Sequence, residues 1–155
     1  MPRPRLRIVD AQIHDPAPAL PFEGDEEARL LLTAELALAA MDAVGVEAAI
    51  VAPGRHGPAF AEFAPLRHPE RFARVIMFDH RSPDLDELVA GALAVPGVVA
   101  VRHSVVDHWN DRADELRAGV FEPVFAAAER HHVPLFVLAP GYPEELLPVA
   151  RAHPG

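Results

Sequence analysis

The chain contains no cysteine and no lysine. Without cysteine there is no disulfide framework, no thiolate nucleophile and no cysteine-ligated zinc. Without lysine, Schiff-base chemistry, a carboxylated-lysine metal bridge and a phosphate-loop lysine are excluded by inventory. All 14 basic side chains are therefore arginine, set against 23 acidic ones for a formal charge of −9. That balance argues against a nucleic-acid or anionic-membrane surface. No apolar run reaches membrane-spanning length, and Met1-Pro2-Arg3-Pro4-Arg5 lacks the apolar segment of a signal peptide. The expectation is a soluble, cytoplasmic protein. The sequence also has no nucleophile elbow and no glycine-rich phosphate loop.

What is present is a core-forming pattern: half of the 155 residues are hydrophobic, enough for one domain with an interior. Leu6, Ile8 and Val9 make a short strand that breaks off into Asp10, Gln12, His14 and Asp15. Asp25, Glu26 and Glu27 open a helix whose apolar face is Leu30, Ala34, Leu38 and Met41, and Gly45 closes it. Strands follow at residues 46–52, 72–78, 98–101 and 134–139. Between them lie a short helix over 59–67 interrupted by Pro65, and a helix capped by Ser82 with Pro83 in its first turn, running to about Ala94. A polar loop over 107–114 carries the only tryptophan, Trp109; a helix then runs to His131 and His132, and a last one ends near His153. Strands alternating with helices predict an α/β parallel sheet. Five strands are too few for a closed eight-stranded barrel, which takes about 250 residues.

Ligands of parallel α/β sheets bind at the C-terminal ends of the strands. This chain places Gln12, His14 and Asp15 there after the first strand, and Arg55 and His56 after the second. Asp79, His80 and Arg81 follow the third, and Arg102 and His103 the fourth. Each of these four ends delivers a histidine, and three of the histidines adjoin an arginine. An arginine rim on an acidic protein attracts anions, and a guanidinium clamps a carboxylate through two hydrogen bonds. The competing reading is a set of solvated loop residues. In that case Arg102 pairs with Asp107 or Asp111, Asp79 builds a turn, and His14 and Asp10 are structural. Trp109 and Tyr142 either wall a pocket or pack a loop. His131 and His132 suit the negative end of a helix and need no further role.

The strand ending in Asp10-Ala11-Gln12-Ile13-His14 resembles the first strand of the amidohydrolase-related family of TIM-barrel metal-dependent hydrolases, which opens Ile/Val-Asp-x-His-x-His. Gly97-Val98-Val99-Ala100-Val101-Arg102 resembles the family's fourth strand, where the arginine faces the substrate. His153-Pro154-Gly155 matches a run found before its sixth strand. The resemblance implies residues 1–155 as a single domain holding the first five β/α units of a partial TIM barrel; a self-standing open sheet is the alternative. In this chain Gln12 stands at the first histidine of the motif, and Leu138 of Pro134-Leu135-Phe136-Val137-Leu138 at the fifth-strand ligand. The expected cofactor is therefore none, or a divalent metal such as zinc with His14 as a ligand. His56, His80 or His103 could complete such a site. Some relatives, lactonases of aromatic-acid breakdown, are thought to work without a metal, using an aspartate base with arginine or histidine to polarise the carbonyl. The function implied is hydrolysis of a small carboxylate-bearing molecule, a lactone. His14, Arg102 and Asp79 would be catalytic, and Arg55, His56, His80, Arg81 and His103 would bind substrate. A half-barrel that binds an acid or a partner chain without turnover is the second reading, and a decarboxylase or hydratase of the family the third. The expected partners are the small carboxylate and either further copies of the chain or the missing C-terminal half of the barrel.

Overall fold

The computed structural model describes residues 7–14, 24–54, 57–107 and 110–155. The strands are β1 (Val9–Ile13), β2 (Ala48–Val51), β3 (Phe72–Ile76), β4 (Val98–Ser104) and β5 (Leu135–Leu138). Parallel strands alternating with helices make this an α/β fold, as the sequence pattern predicts, and one of the partial TIM-barrel kind, as the resemblance implies. The chain divides into two compact units, residues 1–75 and 76–155.

In the first unit, the Asp25 carboxylate accepts the Ala28 backbone N–H at 2.8 Å and starts α1 (Glu26–Val44). Leu30, Ala34 and Met41 repeat at helical spacing and are buried along its length. Gly45 ends it in a left-handed conformation, φ 76°. The second helix, α2 (Ala59–Arg67), runs through Pro65 rather than being interrupted by it. A proline so near the end removes only one helical hydrogen bond. Strands β1–β2 and β2–β3 pair in parallel. Ala49, Val51 and Phe72 from the sheet pack against Leu30, Ala34 and Met41 of α1 and Phe60, Ala61 and Ala64 of α2.

The second unit contains α3 (Leu85–Gly91), a 3-10 turn at Ala92–Ala94, α4 (Ala113–Arg117), α5 (Glu122–Arg130) and α6 (Pro143–Ala152). Three features depart from the sequence pattern. Ser82 does not cap the helix: its hydroxyl accepts the Asp84 N–H at 3.4 Å within a turn, and α3 begins only at Leu85. The helix expected up to His132 is two helices, separated around Gly119 (φ 75°), with Pro123 in the first turn of the second. Most consequentially, β4 continues three residues beyond Val101, pairing Val101, Arg102, His103 and Ser104 in unbroken register with residues 135–138. Val101 packs with Leu85 and Val89 of α3 and Val124 and Ala127 of α5, which fixes the helix-covered face of β4. Among the described residues no helix is long and apolar enough to cross a membrane.

An added Cβ at Gly45 would meet nothing within 4 Å, so its φ is the only constraint there. Gly45→Ala should therefore destabilise the protein by about 1–2 kcal/mol, read as a lower urea midpoint at unchanged slope.

Candidate functional site

Strand alternation decides what β4 can present. Side chains two apart share a face, and neighbours oppose each other. Val101 and His103 therefore face the helices, and Arg102 and Ser104 face the other way. The His103 ring lies 4.5 Å from the Phe121 ring and 5.5 Å from that of His80, and His80 lies 4.9 Å from Phe121. The structure thus brings His80 and His103 together and does not bring Arg102 onto their face.

Arg102 is 6% exposed. Its Nε and Nη1 are buried and have no hydrogen-bond partner among the described residues. Burial lowers its pKa, and the Asp107 carboxylate opposes that shift. A guanidinium nevertheless keeps its proton in a protein, so this is a buried positive charge with donors to spare. Asp111, the other partner expected for it, accepts instead from the Tyr142 hydroxyl at 3.0 Å and from the Ala113 N–H at 3.1 Å. Tyr142 thereby ties the loop, and its ring lies 5.4 Å from the Arg117 guanidinium carbon.

The histidine face has its own electrostatics. Burial first, then the Arg112 guanidinium and His80, push His103 down to about 4. Burial also lowers His80, helped by Arg81 and Arg112 and opposed by Asp79 and Glu115. Arg112 donates to the Ser104 carbonyl and stands 5.2 Å from the Phe121 ring centre. Asp79 accepts the Arg81 N–H at 2.9 Å, a local turn, and lies 3.6 Å from His80 Nδ1. The exposed Arg81 pairs with Glu115 at 3.3 Å. Sequence reasoning missed Ser104, Arg112 and Glu115. The first was hidden by ending β4 too early; the other two act through contacts 8 and 34 residues away in the chain.

At the end of β1, Gln12 and His14 lie side by side, as positions two apart on a strand should. Their Nε2 atoms are 3.2 Å apart, and His14 Nδ1 is 2.9 Å from the Ala52 carbonyl oxygen. Asp10 accepts the Gln12 backbone N–H at 3.0 Å, and a register shift between Asp10 and Ile13 marks a bulge there. Arg55, His56, Asp15 and Trp109 lie outside the described residues. Among the described residues no group of three or more His, Asp or Glu side chains could hold a metal ion. With an amide against His14 Nε2 and leucine at position 138, the described residues do not fit the divalent metal that the resemblance implies.

A cavity of about 270 Å³ between α5, β5 and α6 contains none of the candidate residues. It is lined by Phe125, Val133, Leu135, Leu146 and Val149, with Glu129 and His153 beside it at 2.9 Å from one another.

No protein-family model and no curated protein matches the chain. Among solved structures it is similar to a probable 2-pyrone-4,6-dicarboxylic acid hydrolase from Acinetobacter baumannii with citric acid bound. The TM-score is 0.56 at 15% identity, over 95% of this chain and 54% of that one. A second is a 5-carboxyvanillate decarboxylase from Novosphingobium aromaticivorans, complexed with manganese and 4-hydroxy-3-methoxy-5-nitrobenzoic acid. There the TM-score is 0.49 at 18% identity, over 84% of this chain and 43% of that one. The likeness is one of fold. The chain spans about half the length of the structures it matches.

The lowered His103 pKa has a sign. Unfolded, the imidazole takes a proton near pH 6.5; folded, it resists until about 4. Stability is therefore unaffected above 6.5 and falls as pH drops from 6.5 toward 4. Between pH 7 and 5 the wild-type protein should lose about 2 kcal/mol on this account. His103→Gln should flatten that part of the urea-midpoint profile.

Proposed function

We propose that this chain is the carboxylate-binding part of an amidohydrolase-like enzyme that hydrolyses a small carboxylate-bearing molecule, a lactone. One observation carries the reading: Arg102, at the C-terminal end of a parallel strand, is buried with two guanidinium nitrogens lacking partners among the described residues. A charge held out of water in that state is explained by an anion that completes it, and a carboxylate matches the guanidinium fork. Ser104, two positions on, shares its face and is buried with it. The hydrolase that the fold resembles is named for a pyrone dicarboxylic acid and has citric acid bound, which supports a carboxylate-bearing substrate.

In the reaction, water adds to the lactone carbonyl, the ring C–O bond breaks, and the ring oxygen takes a proton. Arg102 would hold the substrate carboxylate and Asp79 would accept the proton of water. Arg81 would bind substrate by its position after β3, while Arg55 and His56 lie outside the described residues. His80 and His103 pack on Phe121, on the other face of β4 from Arg102, so in this reading they support the strand and do not touch the acid. A second reading, binding of an acid without turnover, is favoured by Asp79, whose carboxylate is already engaged in the Asp79–Arg81 turn.

Assay against a panel of carboxylate-bearing lactones, with calorimetry on the matching acids, separates the two. Turnover that Arg102→Ala lowers about a hundredfold, and Arg102→Lys less severely, supports the hydrolase. Arg102-dependent binding with no turnover supports the acid binder, and turnover or binding indifferent to Arg102→Ala sinks both.

A further inference from the structure

We infer that Gln12 occupies the coordination position that a metal would need at β1 and holds His14 as a fixed tautomer with an acceptor nitrogen, so that this strand end works without a cation. The argument begins at Ala52. A carbonyl oxygen only accepts, so the 2.9 Å contact with His14 Nδ1 requires the proton on Nδ1. Nε2 then carries the lone pair. A backbone carbonyl on the far nitrogen is how a metal-ligating histidine is oriented, and this half of the arrangement is present. The other half is not. The group 3.2 Å from Nε2 is the Gln12 amide nitrogen, which has two protons to donate and no lone pair to share.

The polar groups form a continuous run that ends on a backbone carbonyl. The Asp10 carboxylate accepts the Gln12 backbone N–H, the Gln12 amide donates to His14 Nε2, and His14 Nδ1–H donates to Ala52. Each of these contacts has a donor and an acceptor, so none of them calls for a cation. The bulge between Asp10 and Ile13 supplies the turn that lets Asp10 reach the Gln12 backbone. Gln12 is a positioning residue. The Nε2 lone pair that it holds is available to any O–H group that displaces the amide, a water or a substrate hydroxyl, and not to a divalent ion without rearrangement. This inference concerns β1 alone and stands whether or not the lactone reading does.

The test uses chelator-treated protein, zinc chloride titrations by calorimetry, and long-range proton–nitrogen NMR of the histidine rings. In wild type, the His14 resonances should report the proton on Nδ1, and His14→Ala should leave zinc uptake unchanged. Gln12→His, which exchanges the amide for a second lone pair on an exposed strand end, should tighten zinc binding at least about tenfold. Adding His14→Ala to that variant should abolish the gain. Stoichiometric zinc on wild type that His14→Ala removes would overturn the inference. So would a His14 proton on Nε2, or no gain in a folded Gln12→His protein. Since the first two readouts use wild type and His14→Ala, a Gln12→His chain that failed to fold would not shield the idea.

Discussion

A guanidinium group taken out of water must be compensated, and Arg102 sets the terms for the second unit. Leaving donors of a buried charge unpaired costs several kcal/mol, so a chain keeps such a group only where something else supplies the acceptor. Arg102 has that position because β4 runs on through Ser104. Its backbone is paired in register with β5, and the Asp107 carboxylate of the following loop opposes the lowering of its pKa by burial. Asp111, which could have neutralised it, is held by Tyr142 and Ala113.

The same strand pairing builds the opposite face. His103 goes into the helix layer, where Phe121 is the common surface for both imidazoles and for Arg112. Three nitrogen-rich side chains gather on one aromatic ring, and the low pKa of His103 results first from burial and then from Arg112 and His80 beside it. Keeping the histidines neutral is what makes the arrangement tolerable near pH 7. The two faces of β4 thus solve the burial of basic groups differently. One discharges its histidines, and the other holds a charge that cannot be discharged.

The end of β1 behaves in the contrary way. Its polar groups satisfy each other from Asp10 through Gln12 and His14 to Ala52. Where Arg102 keeps two buried nitrogens without a hydrogen-bond partner among the described residues, His14 is engaged at both of its own. An anion at Arg102 would complete an existing arrangement, whereas a cation at His14 would have to dismantle one.

The sequence by itself determined the β/α alternation, the first helix with its Asp25 start and Gly45 stop, and the side-by-side placement of Gln12 and His14. These are local matters: apolar spacing, a capping carboxylate, a left-handed glycine and the two-residue repeat of a strand all act within a few positions. It also put Asp79, His80 and Arg81 just after the third strand, as the structure has them. Only the tertiary structure decided that β4 continues through Ser104, because that is set by pairing with Leu135–Leu138 more than thirty residues away. Reading the strand as ending at Val101 left Arg102 and His103 as neighbours at one mouth; pairing them into the sheet sent them to opposite faces. The partners Phe121, Arg112 and Glu115 were likewise invisible, since hydrogen bonds and ring contacts across the chain leave no periodic trace in its sequence.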